Sequence, residues 1–479
     1  MEKDTVVNII EKDRCTGCSA CHDICSVNAI EMCEDEVGFL RPHIITDKCV
    51  NCGKCVDICP VINRIKENST KPQIYAARAN DNVRRNSSSG GVFSLLAEII
   101  FEKGGCAFGA YFDEHMTLKH GIAYDEHTLE KMRGSKYVQS NMCDIYKAVK
   151  NKIKENEWVL FVGTPCQVAA LNLFLKKIDT TRLITVDILC HGVPSQKMLK
   201  RYIKEKSSGK NAIDIQFRDK EFGWRADYIK IVFDDGTSYV ENVHSDEYVK
   251  GFLKNVILRK CCHNCSFSDF PRQGDISIGD FWGIDTVDMG ENDGKGTSIV
   301  VSNSEKGKEL VEILKKKCLS FKEEDVEPLL LPNRFKALYK ENPNRDRFMR
   351  EFAKSESYCA SVNKVLSVND SKEKEQKIKY DVGLVSNFYA GNFGGSLTQL
   401  ALYNFLRENG NTVLMIEHPE ESPSKPITKT LEKIYLKNPY PKKDICKTYG
   451  TKWQMSELND VCNTFVVGSD QLFQAELFR

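Results

Sequence analysis

Two cysteine runs hold most of the chemistry available to this chain. CTGCSACHDIC carries Cys15, Cys18, Cys21 and Cys25; CVNCGKCVDICP carries Cys49, Cys52, Cys55 and Cys59. Both have the spacing C-x2-C-x2-C-x3-C, which suits 4Fe–4S clusters. Three thiolates on a tight loop can take three irons of one cubane, while the fourth points toward the other cluster. The spacing therefore assigns Cys15, Cys18, Cys21 and Cys59 to one cluster, and Cys49, Cys52, Cys55 and Cys25 to the second. Structural zinc sites use two C-x2-C pairs separated by a longer loop, so zinc fits these runs poorly. Pro60 follows Cys59 as the pattern expects, but Ser26 follows Cys25.

The elements around these runs make residues 1–65 a ferredoxin-like α+β unit. A short hairpin, Ala29 to Met32 and Phe39 to Pro42, turns at Glu34-Asp35-Glu36 between the two runs. The polar stretch 63–73 reads as a connection.

A second set of thiols is scattered farther along. EWVLFVGTPCQVAALNLFL (157–175) and TRLITVDILCHGVPSQKMLKRYIKEK (181–206) each read as strand, loop and helix, with strands at Val159–Val162 and Leu183–Leu189. Strands joined by helices pair in parallel, so Cys166 and Cys190 fall beyond the carboxyl ends of neighbouring strands, where open α/β sheets place ligands. Cys262 and Cys265 form a further C-x2-C pair. Together the four could bind a third 4Fe–4S cluster or zinc, or be unrelated thiols, and Cys261 could replace Cys262. Cys33, Cys106, Cys143, Cys318, Cys359, Cys446 and Cys462 read as small buried side chains. His22, His191 and His263 are read as hydrogen-bonding groups, and no catalytic residue is assigned.

Between these sites, NSSSGGVFSLLAEIIFEKGG (86–105) shows helical spacing ended by Gly104-Gly105. Its leading serines and glycines could cradle a phosphate at the helix N-terminus, or simply cap it. Residues 213–243 alternate as a small antiparallel sheet with a turn at Asp235-Gly236, and 246–259 reads as a helix leading to Cys262. The charge-rich segment 361–379 reads as a linker. Beyond it, strands at 380–388, 412–419 and 462–473 with a helix at 396–410 suggest a Rossmann-like βαβ opening, although AGNFGG (390–395) does not fit G-x-G-x-x-G.

The whole is a chain of 479 residues with 68 Lys plus Arg against 67 Asp plus Glu. That length implies several domains, and that balance favours neither nucleic acid nor an anionic membrane as partner. No apolar run approaches membrane-spanning length, and residues 1–10 lack a signal-peptide core. Twenty cysteines without an export signal point to metal ligation in a reducing cytoplasm.

NSSSGGVFSLLA (86–97), RGSKYVQS (133–140), VLFVGTPCQVAAL (159–171), DILCHGVPS (187–195) and CHNCSF…GDISIGDFWG (262–283) occur in an order that resembles the beta subunit of coenzyme F-420 (deazaflavin) hydrogenase/dehydrogenase. The resemblance covers residues 1–360. It implies a flavin-associated domain at 70–152 and a further domain at 153–360. It also implies a third 4Fe–4S cluster on Cys166, Cys190, Cys262 and Cys265, and FAD bound near Ser87, Ser88, Ser89, Gly90, Gly91, Ser135, Lys136 and Tyr137. Residues 380–479 resemble the opening of a polysaccharide pyruvyl transferase, through GLVSNFYAGNFGGSLTQLALYNFL (383–406) and FVVGSDQLF (465–473). The transferase's second lobe lies beyond what these residues cover.

The sequence is thus read as multidomain α/β: a ferredoxin-like unit, a central α/β flavoprotein body with a small antiparallel sheet, and a partial Rossmann-like lobe. The leading reading is a cytoplasmic iron–sulfur flavo-oxidoreductase. It would pass electrons from a redox partner protein, a ferredoxin or a partner enzyme, to an organic acceptor. The second resemblance would set that acceptor in polysaccharide metabolism. The alternatives are an electron conduit with no substrate site of its own, and a sugar-modifying transferase with an iron–sulfur arm.

Overall fold

The computed structural model describes residues 4–64, 68, 72–221, 228–282, 293–324, 341–366, 380–386, 402–410, 412–417 and 462–467. They form a multidomain α/β protein with two compact units, Met1–Val365 and Leu366–Arg479.

The first unit is built on an eight-stranded sheet. Its strands in chain order are β3 (Gln73–Arg78), β4 (Cys106–Phe112), β5 (Leu118–Ala123), β6 (Val159–Gly163), β7 (Leu183–Ile188), β11 (Ile276–Asp280), β12 (Ser298–Ser302) and β13 (Ser320–Glu324). The spatial order is β13-β3-β12-β11-β7-β6-β4-β5. The four central strands β11, β7, β6 and β4 run parallel, and antiparallel strands close both edges.

Side chains alternate across the sheet as strand geometry requires. Leu160 and Val162 face one side with Ile184 and Val186, against helices Val92–Glu102 and Glu305–Lys317. Val159 and Phe161 face the other, against helices Ile145–Lys154 and Pro165–Phe174. Fully buried aliphatic and aromatic side chains of this kind contribute roughly 1.5–3 kcal/mol each. The second face is continuous with the cysteine-rich segment: Val6, Ala20, Ile30 and Ile58 pack into the same core.

Within that segment the hairpin pairs β1 (Ile30–Glu34) with β2 (Leu40–Ile44). Its turn is held by Asp35, whose Oδ1 accepts from Val37 N at 3.2 Å and Phe39 N at 2.9 Å. Residues 212–242 form the expected antiparallel sheet from β8 (Ala212–Asp219), β9 (Tyr228–Phe233) and β10 (Ser238–Asn242).

Several local expectations need correction. The helix read over 246–259 spans only Glu247–Leu253. Asn255 adopts a positive φ of 61°, and the apolar run Val256, Ile257 and Leu258 turns wholly into the core. Strand β3 begins at Gln73, inside the stretch read as a connection, and contributes buried Ile74, Ala76 and Ala77. The segment read as a linker from 361 opens as helix, because residues 358–366 are helical with Val362 and Val365 buried. Of the thiols read as buried, Cys106 is buried, Cys143, Cys318 and Cys359 are half-buried, and Cys33 is exposed on the two-stranded hairpin.

The second unit contains a three-stranded parallel sheet, with β14 (Tyr380–Ser386) between β15 (Val413–Glu417) and β16 (Cys462–Val467). The glycine-rich loop at 390–395 and residues 468–479 lie outside the described residues.

Candidate iron–sulfur and flavin sites

The two cysteine runs fold as repeats of one device. Gly17 and Asn51, each two residues after the first cysteine of its run, have φ of 67° and 49°; Ser19 and Gly53, each just after the second, have φ of 66° and 75°. Left-handed residues at these points curl the loop so that backbone N–H groups face inward, an arrangement suited to an anionic cluster. Gly17 has a second reason to lack a side chain. A Cβ there would lie 2.6 Å from Gln139 Nε2 and 2.8 Å from Leu40 O.

Cys15, Cys18, Cys21 and Cys59 line one pocket, with Val6, Ile10 and Met32 as apolar wall. Cys25, Cys49, Cys52 and Cys55 line a second. The runs therefore exchange their fourth cysteine in space. Two sulfurs receive backbone hydrogen bonds, Cys55 Sγ from Val6 N at 3.3 Å and Cys25 Sγ from Ala29 N at 3.2 Å. Such bonds stabilise thiolate charge.

The scattered thiols are also brought together. In the parallel register Gly163 lies beside Asp187, and Cys166 and Cys190 follow at equal sequence separation from that pair. Cys166 opens helix Pro165–Phe174, with Thr164 Oγ1 3.2 Å from its sulfur. Cys262 reaches the same place from another loop, since a Cβ on Gly192 would sit 3.1 Å from Cys262 Cβ. Burial raises the thiols of Cys166 and Cys190, Cys190 to about 12, and in both the charge of Cys265 pushes the same way. Burial likewise raises Cys18 to about 12, aided by Cys59. Thiols so placed ionise only when a cation compensates them.

The donor geometry separates a cubane from a single ion. Zinc with Zn–S near 2.3 Å requires its sulfurs to lie within about 4 Å of one another. Among the described residues, the group of three or more potential ligands with all atoms within 4.8 Å is His22, Asp23 and Asp144, and it contains no cysteine. That group is a helix cap. Asp23 accepts from Asp144 N at 2.7 Å and from Tyr146 N at 2.9 Å. Among the described residues, no three cysteine sulfurs are drawn together as closely as a single zinc ion would require.

Residues that sequence reading missed join these sites. Tyr146 is wholly buried and donates its hydroxyl to Cys18 O at 2.8 Å. Burial raises its hydroxyl far above its ordinary value, and the charges of Cys18 and Cys166 add to this. Arg259, just before Cys261 and Cys262, donates to Cys15 O at 2.8 Å, Gln139 Oε1 at 2.9 Å and Leu40 O at 2.9 Å. Gln139 Nε2 in turn donates to Thr16 O and Gly17 O, both at 3.2 Å. Arg272 pairs with buried Asp187 at 2.6 Å and donates to Ser268 O and Ile188 O, tying the loop after Cys265 to the strand before Cys190.

The stretches tied by resemblance to a flavin also meet. Ser135 N donates to Ser88 Oγ at 2.7 Å. Ser87 and Ser89 donate their hydroxyls to Val83 O and Thr297 O, and Gly90 N donates to Ser298 Oγ. Gly91 (φ 87°) is the N-cap of helix Val92–Glu102, and no side chain caps it, so the serines are not the ordinary cap. Lys136 Nζ donates to the carbonyls of Met132, Arg133 and Gly134 at 3.0, 2.6 and 3.1 Å, and burial brings it down to about 7. The Tyr137 ring stacks on Phe252 at 4.4 Å. Next to Ser87–Gly91, burial and then the charges of Arg218, Arg84 and Arg85 lower Lys220 to about 8. Carboxylates share that neighbourhood, with Arg84 paired to Asp293 and Arg218 to Asp280. His120 Nδ1, buried, has no hydrogen-bond partner among the described residues.

Comparison with known proteins agrees with the reading of the two cysteine runs as a 4Fe–4S dicluster domain. Residues 14–63 match the 4Fe-4S dicluster domain, and residues 156–327 match the C terminus of the coenzyme F420 hydrogenase/dehydrogenase beta subunit. Neither match extends to residues 380–479. No curated protein matches the chain. A solved chain of the F420-reducing [NiFe] hydrogenase complex from Methanosarcina barkeri is similar at 17% identity, over 65% of this chain and 95% of that one, with a TM-score of 0.37. An electron-transfer iron–sulfur function fits both family matches. Among the described residues, no helix is long and apolar enough to cross a membrane.

Proposed function

We propose that this chain, which joins a 4Fe–4S dicluster domain to a region like the C terminus of F420 hydrogenase/dehydrogenase beta subunits, is an iron–sulfur flavo-oxidoreductase. It draws electrons from a low-potential redox partner protein for an organic acceptor. One observation carries the reading: Tyr146, wholly buried, donates its hydroxyl to Cys18 O at 2.8 Å and feels the charges of both Cys18 and Cys166, which supports a second cysteine set beside the dicluster segment. When bound, the clusters supply one-electron transfer and FAD supplies the conversion to a two-electron reduction.

The chain's own residues have defined parts in this reading. Cys15, Cys18, Cys21 and Cys59 hold the inner dicluster site, and Cys25, Cys49, Cys52 and Cys55 the outer one, where Cys52 is exposed. Cys166, Cys190, Cys262 and Cys265 hold a third cluster. Arg272 and Asp187 fix its loops, and Tyr146 excludes water between it and the inner site. Ser88 and Ser135, with Lys136, Lys220 and the helix beginning at Val92, form the cradle for FAD, whose diphosphate would meet the backbone N–H groups at the start of that helix. That the acceptor belongs to polysaccharide metabolism is supported by the resemblance of residues 380–479 alone.

Iron, acid-labile sulfide and flavin per chain, measured after anaerobic purification, test the proposal. About twelve irons and one FAD per chain are expected from three cubanes and a flavin. About eight irons without flavin would leave an electron conduit in its place.

A further inference from the structure

Among the described residues of the first unit, four arginines are buried: Arg84, Arg259, Arg272 and Arg345. Three have a carboxylate at hand. Arg84 pairs with Asp293, Arg272 with Asp187 at 2.6 Å, and Arg345 with Asp346 at 3.1 Å. Arg259 is different. It is 1% exposed, its acceptors are the neutral oxygens of Cys15, Leu40 and Gln139, and no carboxylate among the described residues lies within ion-pair distance. Its other neighbours are the Phe39 ring at 5.3 Å and the Cys261 thiol. A buried charge without a counter-charge is costly, and proteins supply one.

The guanidinium lies against the loop that begins at Cys15, and Gly17 leaves the room for it: a Cβ there would meet Arg259 Nη1 at 2.8 Å. That loop carries Cys15 and Cys18 of the inner site. A 4Fe–4S cluster with four thiolate ligands is anionic, and more so once reduced.

We infer that the counter-charge of Arg259 is the cluster held by Cys15, Cys18, Cys21 and Cys59, and that Arg259 raises the reduction potential of this inner cluster above that of the outer one. The inference rests on the reading of residues 14–63 as a dicluster site. Each cluster gains one electron on reduction, and a fixed cation beside the inner one favours that electron there. The outer set, lined by exposed Cys52 and Lys54, faces solvent, which screens nearby cations. Electrons arriving at the outer site therefore run inward, toward Tyr146 and Cys166.

Redox titration of the full-length, anaerobically purified protein, followed by electron paramagnetic resonance, tests this. Arg259→Gln should lower the potential of one dicluster-domain cluster by at least 59 mV, a tenfold change in its reduced-to-oxidised ratio, and leave the other in place. Arg259→Lys, which keeps the charge, should stay near wild type. Gln139→Glu keeps the arginine but sets a carboxylate against it, and should lower the same potential even if Arg259→Gln loses iron. Unchanged potentials in both Arg259→Gln and Gln139→Glu, or equal shifts of both clusters, would overturn the inference. So would Arg259→Lys behaving like Arg259→Gln. The Cys261 sulfur is also within reach of the guanidinium, so a Cys261→Ser protein whose dicluster potential rises, with Arg259→Gln leaving that potential unchanged, would make that thiolate the counter-charge instead. A wild-type protein without two titrating clusters at residues 14–63 would defeat the underlying reading, a different result from two clusters that ignore Arg259.

Discussion

Asp23, in the first cysteine run, accepts the backbone N–H of Tyr146 at 2.9 Å, across a separation of 123 residues. With Asp144 N on its other oxygen at 2.7 Å, this buried carboxylate caps helix Ile145–Lys154 from outside. The cysteine-rich segment and the sheet are thus joined by a charge-assisted cap. Asp23→Ala should cost about 1–2 kcal/mol, the usual loss for a helix cap. Denaturant unfolding under anaerobic conditions would measure it, and Asp23→Asn, which keeps an acceptor, should fall between. An unchanged midpoint in Asp23→Ala would mean that the cap is incidental.

Asp187 and Arg272 form the most enclosed ion pair of the third site, both side chains almost fully buried. Asp187 also accepts from Gln273 N at 2.9 Å and Gly274 N at 2.8 Å. Removing only the arginine leaves a buried carboxylate uncompensated, which costs about 3–5 kcal/mol. Arg272→Met should therefore be more destabilising than the double change Asp187→Asn with Arg272→Met. Thermal unfolding of the three proteins gives the comparison, and a double variant as damaged as the single would refute it.

The parts of this architecture that follow from local pattern were legible in the sequence. Cysteine spacing is a covalent feature, so the grouping into two sets of four could be read directly from Cys15 to Cys59. The strands before Cys166 and Cys190 announced themselves as short apolar runs, which is why both thiols could be placed on one rim. Arg259 could not be read this way. Its partners Cys15, Leu40 and Gln139 are distant in sequence, and no spacing rule marks an arginine beside a C-x2-C pair as buried. β3 was hidden for a related reason: its pairing with β12 and β13 is entirely non-local, and it follows a polar stretch. The helix read through 259 failed because an apolar run is ambiguous until the turn at Asn255 is known.

His120 gives the protein an acid-sensitive element. Burial pushes the ring down to about 4 from an ordinary value near 6.5, against the pull of its hydrogen bond to Val162 O at 3.0 Å, and the charge of Lys136 adds to the lowering. Between these values the unfolded chain binds a proton that the folded chain refuses, so stability falls as pH falls. The loss approaches about 3 kcal/mol by the lower limit. The slope of unfolding free energy between pH 7 and 5 should flatten in His120→Gln relative to wild type. Parallel slopes in the two proteins would show that the ring takes no part.

Cys261 and Cys262 are adjacent, yet their surroundings differ. Cys262 Cβ faces the loop of Cys190 beside Gly192, where a glycine at φ 127° lets the two loops touch. The charges of Cys190 and Cys265 both bear on its thiol. Cys261 is also within range of Cys190 and Cys265, but it lies against Arg259 and Arg41, whose charges help to bring its thiol down to about 7, after the hydrogen bond from Cys262. The ligand of a third cluster should therefore be Cys262. Cys262→Ala is expected to fall from about twelve irons per chain to about eight, while Cys261→Ala keeps its full complement. Iron and sulfide analysis with the visible spectrum would decide. The reverse result would put Cys261 in the ligand set and leave Cys262 as packing against Gly192.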